Sequence, residues 1–325
     1  MLETTWFVLW GLLWAVYFVL DGFDFGMGTL LPFLAKNDEE KRIIYNAAGP
    51  YWDGNEVWLI TAGGVTFAAF PKAYAVMFSA LYAPLLILLF ALIFRAVSFE
   101  FRNKKDCPQW RKFWDACQFL GNFLPALLLG VAFANLFMGI PIDGNGVYHG
   151  NIIKLLNPYG LAGGIFFVLI FAMHGALWLA LKSEGDIHER AVGAAQVVWP
   201  LVLAVALLFL ALTAFYTNLY ANYAEHPTLL VFPILAVASL LTVRVMIWAD
   251  NLLGAWFFSA LFIITVTFFG VLGMYPGIII SSIDPAYSVT VFNGASSPLT
   301  LKIMLGVTLC CIPVVIAYQA WVYYT

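Results

Sequence analysis

Residues 6–34 read WFVLWGLLWAVYFVLDGFDFGMGTLLPFL, and this stretch decides the class of fold. Its only charged side chains are Asp21 and Asp24. A helix needs about 20 consecutive, mostly apolar residues to cross the hydrocarbon core of a bilayer. The stretch is therefore predicted to be a transmembrane helix that carries two acids within the membrane.

The composition of the whole chain extends this prediction. Of the 325 residues, 63% are hydrophobic and 10% are charged, and the mean hydropathy is +0.91. Soluble domains have about 45–50% apolar and about 25% charged residues. A soluble protein of this composition could not cover its surface, so we predict an all-α polytopic membrane protein. The 15 Lys and Arg against 18 Asp and Glu leave no basic field for nucleic acid, and no residue spacing indicates a metal site.

Apolar runs separated by polar segments predict nine transmembrane helices, in a single integral membrane domain of residues 1–325. The sequence has no clear internal repeat and no segment of soluble-domain composition. The predicted spans are residues 6–34, 51–70, 74–98, 115–139, 159–182, 191–219, 228–248, 253–277 and 299–323.

The distribution of Lys and Arg predicts how the chain is oriented. The loops after the first, third, fifth and seventh spans hold 12 of these residues with their flanks, Arg95 among them, and the opposite loops hold 3. Cytoplasmic loops carry the excess of basic residues in membrane proteins. We therefore expect the N-terminus outside, the C-terminus in the cytoplasm and the basic insertion 99–114 in the cytoplasm.

Five acids lie in the cytoplasmic half of the first three predicted spans: Asp21, Asp24, Asp53, Glu56 and Glu100. A charge at the bilayer centre costs at least ~2.5 kcal/mol, so intramembrane acids are informative about function. An acidic set on one side only is typical of a proton path that enters from the cytoplasm and stops within the membrane. For Asp21 and Asp24 the alternative is a hydrogen bond between helices, and for Asp53 it is capping of the second helix.

The histidines argue against a haem held by this chain alone. Of the four, only His174 lies within a predicted span, and the others lie in loops or at span ends. Axial ligation of haem commonly uses histidine. A lone histidine in a membrane helix is more often hydrogen-bonded to a neighbouring helix, which is the role we expect for His174.

Several segments resemble those of one protein family, the subunit II family of the cytochrome bd-type quinol oxidases. The resemblance extends over the whole chain, densely over residues 1–140 and more thinly over residues 185–290. The segments that carry it are LDGFDFGMG (20–28), PYWDGNEVWLITAGGVTFAAFP (50–71), FRAVSFEFRNK (94–104), GNFLPALLLGVAFANLFMGIP (121–141), NIIKLLNPYGLAGG (151–164) and SSPLTLKIML (296–305).

The resemblance implies a bacterial or archaeal cell-membrane heterodimer with a larger, haem-bearing subunit I. That complex oxidises quinol and reduces oxygen to water, using haem b and haem d, or a second haem b, ligated by the partner subunit. Each subunit is built as two four-helix bundles plus one peripheral helix. Small accessory subunits and a structural quinone in this chain are further features of some relatives.

The resemblance also implies which residues of this chain carry protons. The family's cytoplasmic proton path corresponds to Asp53 of the WDG motif and to Glu100, with Lys104 as the basic entrance. Asp24 matches the second acid of the DGFD motif and is a secondary candidate, while Asp21 matches the first.

Two other functions remain open on the residues alone. Membrane acids also occur in proton-coupled secondary transporters, which normally show broken helices paired across an internal repeat. No such repeat is evident, and the acids lie to one side instead of around a midplane site. A structural membrane subunit without chemistry is the third alternative.

Overall fold

The computed structural model describes residues 1–324, and it is mostly helical, with 82% of the residues in helices. The helices are α1 (Leu2–Leu34), α2 (Asp38–Ala48), α3 (Trp52–Ala69), α4 (Pro71–Ala80), α5 (Tyr82–Phe101), α6 (Pro108–Met138), α7 (Ile152–Leu155), α8 (Pro158–Lys182), α9 (Gly185–Tyr216), α10 (Leu219–Glu225), α11 (Val231–Trp248), α12 (Leu252–Met274) and α13 (Pro298–Tyr324). Two short antiparallel strands, β1 (Gly277–Ile279) and β2 (Val289–Thr290), form a ribbon between α12 and α13.

Eight helices of the described chain are long and apolar enough to cross a membrane: α1, α5, α6, α8, α9, α11 with its preceding 3₁₀ turn, α12 and α13. Each of them coincides with a predicted span. The remaining predicted span, residues 51–70, forms α3, which is not among these eight helices. The polar residues Asp53, Asn55 and Glu56 in its first two turns lower its apolar character.

The predicted continuous span 74–98 is two helices instead of one. α4 ends at Ala80 and α5 begins at Tyr82, with Leu81 between them. Pro84 lies in the first turn of α5. A proline removes a backbone donor and its ring clashes with the carbonyl four residues earlier, here that of Ala80, which ends the preceding helix.

α2 was not predicted and lies in the predicted loop between the first two spans. Asn37 caps this helix by accepting a hydrogen bond of 2.9 Å from the backbone N–H of Glu40. Acids in the first turn complement the positive end of the helix dipole, and Asp38, Glu39 and Glu40 occupy that turn. α2 marks one end of the molecule, which we call the α2 end.

Several ion pairs connect the elements of the α2 end to one another. Arg102, just after α5, is buried and donates from Nε to Asp115 and from Nη2 to Asp38, both over 2.6 Å. Lys41 adds a pair with Asp115 at 2.8 Å. Partial burial acts to raise the pKa of Asp38, but the hydrogen bond and charge of Arg102 outweigh it and lower that pKa below its ordinary value. These pairs join α2 to the loop between α5 and α6 and to the start of α6.

α1 lies at the centre of the helix packing, in contact with α3, α6, α8, α12 and α13. Its closest neighbour is α8, because glycines face each other where the two helices cross. A Cβ on Gly175 would lie 2.6 Å from the Phe23 carbonyl oxygen, and one on Gly26 would overlap the Phe171 carbonyl. By contrast, α13 packs loosely, with Leu301 as its one buried residue in the described chain. The acids of α1 are therefore held deep among other helices.

Candidate functional site

A buried arginine lies at the centre of the candidate site. Arg95 of α5 is fully buried and donates to both carboxylate oxygens of Asp21, over 2.7 and 3.2 Å. Its Nη2 also donates to Glu56 Oε2 over 2.8 Å. The ring of Phe25 lies against the guanidinium, 4.7 Å from it. Bidentate pairing suits the planar guanidinium and fixes the geometry of the carboxylate.

Three helices supply the acids and the base. Asp21 and Asp24 are three residues apart on α1, so they lie on the same face of that helix. Glu56 lies in the second turn of α3, and Arg95 lies in α5, six residues before its end. We call Asp21, Asp24, Asn55, Glu56 and Arg95 the buried polar cluster.

Asp24 is the member of this cluster without a cationic partner. It is 2% exposed, and its Oδ2 accepts a hydrogen bond of 2.8 Å from Asn55 Nδ2. Its Oδ1 is buried and has no hydrogen-bond partner. The cluster thus contains three carboxyl groups and one guanidinium. Because the carboxyl groups outnumber the cation, this composition is expected of a cluster that can hold a proton.

The residues predicted to form the entrance lie at the surface of the α2 end. Asp53, Glu100 and Lys104 are exposed, and the structure shows no side-chain hydrogen bond or ion pair for them among residues 1–324. Trp52 and Phe99 immediately precede two of them, and their rings stack with centroids 5.1 Å apart. The start of α3 therefore lies beside the end of α5, which brings Asp53 and Glu100 to the same region.

Arg95 does not have the predicted position among the basic residues that flank a cytoplasmic loop. The structure buries this side chain within α5 as the partner of Asp21 and Glu56. A signal was present, since the run LLILLFALIFRAVSFEF continues apolar on both sides of the arginine. Asn55 was missed as well, although it lies between Asp53 and Glu56 in the quoted motif.

His174 has the role that its sequence predicted. Its Nδ1 hydrogen bonds with Ser259 Oγ over 2.6 Å, and its Nε2 donates to the Val19 carbonyl over 3.1 Å. The ring therefore joins α8 to α12 and α1. Both of its nitrogens are hydrogen-bonded, so neither has a lone pair directed to open space. The other histidines are at loops and helix ends, so the described residues do not fit a haem with axial histidine.

One cavity among the described helices has apolar walls. Its volume is about 120 Å³, and it lies between α1, α6, α8, α9, α11 and α12. A cavity of about 150 Å³ takes up benzene, so this one is small for a quinone ring. Its only wall hydroxyl is that of Thr267, which donates to Ile263, leaving no donor for a quinone carbonyl. The cavity does not fit a structural quinone as it is shaped.

Comparison with known proteins gives consistent matches over the chain. The family model described as cytochrome bd terminal oxidase subunit II matches residues 2–325. Cytochrome bd ubiquinol oxidase subunit 2 of Bacillus subtilis is 37% identical, over 99% of this chain and 95% of that protein. Cytochrome bd-I ubiquinol oxidase subunit 2 of Escherichia coli is 35% identical, over 99% of this chain and 93% of that protein.

The fold has a match among solved structures. A chain of the bd oxidase from Geobacillus thermodenitrificans superposes with a TM-score of 0.83, over 99% of this chain and 97% of that one. The two sequences are 16% identical, so this likeness concerns the fold alone.

Proposed function

Because this chain belongs to the family of cytochrome bd terminal oxidase subunit II, we propose that it supports the haem-bearing subunit I and carries protons from the cytoplasm toward the oxygen site. The chain is a multi-pass subunit of a bacterial respiratory oxidoreductase complex, which pairs it with subunit I. The substrate we propose is quinol, as the names of the relatives indicate, and the haems are a haem b and a haem d or second haem b. The partner subunit would ligate all of these haems.

One observation carries the proposal of a proton path: three carboxyl groups lie among α1, α3 and α5 with one guanidinium, which pairs with Asp21 and Glu56 and leaves Asp24 without a cation. Reduction of oxygen to water consumes protons, so a buried oxygen site needs groups that gain and lose them. Asp21 and Asp24 are at most 2% exposed, while the side chain of Glu56 is 23% exposed. Acids within membrane helices commonly form such relays.

The proposed path begins at the exposed residues of the α2 end. Lys104 and Glu100 form its entrance, and Asp53 leads onto α3. Asp53 and Glu56 are three residues apart and so lie on one face of α3. Exposure falls along this face, from exposed Asp53 to partly buried Glu56 and then to buried Asp24 across the helix contact. Protons would pass in that order.

The proposed membrane topology has nine spans, in two four-helix bundles plus one peripheral helix, within a single domain of residues 1–325. α3 is the ninth span, since its 18 residues extend about 27 Å at 1.5 Å per residue. The exposure of α13 supports its assignment as the peripheral helix. The N-terminus would lie outside and the C-terminus in the cytoplasm, on the side of the α2 end.

Small accessory subunits are proposed by analogy with some relatives. The alternative function of a proton-coupled secondary transporter was based on the same membrane acids alone. Family membership favours the oxidase subunit over this alternative.

The role beside subunit I is tested by purification. The chain is expressed together with its subunit I, and we expect the purified pair to show b- and d-type haem bands and quinol-driven oxygen consumption. Expressed alone, the chain is expected to carry no haem, because its histidines do not fit an axial pair. Haem bands in the chain purified alone would contradict the assignment of all ligands to subunit I.

A matched variant sharpens this experiment. His174→Ala removes the one buried histidine of the described residues, whose ring contacts Ser259 and Val19. We expect the haem spectrum of the His174→Ala complex to be intact. Loss of one haem band would make His174 a ligand.

The orientation is tested at Cys107, which lies in the loop between α5 and α6 at the α2 end. In a variant whose other three cysteines are replaced by Ser, an impermeant thiol reagent is expected to leave Cys107 unlabelled in intact cells and to label it after lysis. Asn145→Cys, in an exposed loop at the opposite end, is the control and is expected to be labelled in intact cells. The reverse pattern would invert the topology.

A further inference from the structure

The C-terminal end of α13 makes several polar contacts with the start of α3. Tyr323 donates from its hydroxyl to Asn55 Oδ1 over 2.7 Å, and its ring lies 4.6 Å from that of Tyr51. One turn earlier, Gln319 donates to the Gly54 carbonyl over 3.1 Å and accepts from Trp58 Nε1 over 3.0 Å. α13 is thus fastened to the start of α3, at the level of the buried polar cluster.

The Asn55 amide lies between the Tyr323 hydroxyl and the Asp24 carboxylate and hydrogen bonds with both. An amide has an oxygen that accepts and a nitrogen that donates. With its oxygen engaged by the Tyr323 hydroxyl, the amide presents Nδ2 to Asp24 Oδ2 over 2.8 Å. The flipped amide would set its oxygen against the Asp24 carboxylate, where two acceptors repel. Tyr323 therefore stabilises, through Asn55, a contact of Asp24 that it does not itself make.

Fixing Asp24 Oδ2 leaves Oδ1 as the one buried oxygen of this carboxyl without a partner. We propose that Tyr323, acting through Asn55, is a positioning residue that holds Asp24 with Oδ1 as the atom that receives and releases the transferred proton. This inference rests on the proton path proposed above. The proton bonds to Asp24 Oδ1 as the preceding proton-carrying group, on the Glu56 side of the path, releases it. The O–H bond then breaks as the next carrier toward the oxygen site takes the proton.

The surroundings of Asp24 limit what else could orient it. On its own helix, Asp21 is occupied by Arg95 of α5, as is Glu56 of α3. On α8, His174 is occupied by Ser259 and Val19, and on α6 the nearest acid, Asp115, is bound by Arg102 and Lys41. Asn55 is thus the group in the described structure that donates to Asp24.

The test uses the complex of both subunits and the variant Tyr323→Phe, which removes the hydroxyl and keeps the ring. Tyr324→Phe is the matched control, since Tyr324 is the next residue and is 90% exposed. Quinol-driven oxygen consumption is measured across pH, with the haem spectrum as the check of assembly. We expect Tyr323→Phe to assemble normally, to lower turnover about fivefold, the effect of one lost hydrogen bond, and to displace the pH profile. Tyr324→Phe is expected to match the unmodified complex in rate and profile.

Two further variants separate this inference from the proton path itself. Asn55→Ala is expected to displace the pH profile as Tyr323→Phe does, and the double variant is expected to add nothing further. If Asp24→Asn keeps full turnover, Asp24 carries no protons, and both the path through it and the role of Tyr323 are overturned. If Asp24→Asn slows turnover while Tyr323→Phe behaves as Tyr324→Phe, only the positioning role is overturned. Loss of the haem bands in Tyr323→Phe would make the contact structural and would equally overturn that role.

Discussion

Arg95→Met is expected to abolish assembly of the complex. Methionine matches much of the side-chain volume, but it leaves Asp21 and Glu56 without their cation inside the membrane-spanning helices. Breaking a buried ion pair by removing one partner costs roughly 3–5 kcal/mol. Whole domains are stable by only ~5–15 kcal/mol. Losing the ion pairs therefore removes a large part of the free energy of unfolding that keeps α1, α3 and α5 together.

The measurement is the amount of complex in the membrane, followed by its haem spectrum after extraction. Arg111→Met is the control, because Arg111 is 31% exposed and pairs with Asp106 and Asp38 near the surface of the α2 end. Surface pairs contribute about 0–1 kcal/mol, so this variant is expected to assemble normally. Arg95→Lys is expected to assemble in reduced amount, since lysine keeps the charge and loses the bidentate geometry. Normal amounts of the Arg95→Met complex would show that the cluster does not need its cation.

Asp53→Asn is expected to lower turnover at least tenfold, equivalent to ~1.4 kcal/mol on the barrier, in a complex with a near-normal haem spectrum. The substitution keeps the size and most of the hydrogen bonding of the side chain and removes the proton that it can carry. Asparagine is also a good N-cap, so capping predicts near-normal turnover instead. The structure shows Tyr51 at the N-cap of α3, without a side-chain capping bond.

Turnover is measured as quinol-driven oxygen consumption per haem. Asp106→Asn provides the comparison, since Asp106 is an acid of the same α2 end whose side chain is 94% exposed and lies outside α3. It is expected to retain the turnover of the unmodified complex. Equal rates for the two variants would remove Asp53 from the path. Failure of the Asp53→Asn complex to assemble would make Asp53 structural, and Glu100→Gln would then be the test of the entrance.

The sequence was sufficient for the parts of the fold that depend on local properties. Hydropathy located the eight candidate spans, because a bilayer imposes length and apolar character on each helix separately. The acids of α1 were identified as informative for the same reason, since a charge in an apolar run has a cost wherever its partner lies. The break at Leu81 was missed, because a proline within an apolar run is compatible with either a kink or a new helix.

The partners of these acids could not be predicted in the same way. Arg95 lies 74 residues from Asp21, and only the packing of α5 against its neighbours joins them. Counting basic residues by loop also hides an arginine that is six residues inside a helix. Tyr323 was more remote still, 268 residues from Asn55, in a helix that otherwise faces outward.

The separation of Asp21 and Arg95 has a consequence for how the protein is made. α1 leaves the ribosome before α5, and the counter-charge of Asp21 follows 74 residues later. At about 5–20 residues per second, synthesis takes roughly 4–15 s to cover that distance. During this interval the newborn helix carries acids with no cation to meet them. If α1 enters the membrane before α5, each unpaired charge near the bilayer centre costs at least ~2.5 kcal/mol until Arg95 arrives, so the sequence order of one ion pair sets an energetic cost of insertion.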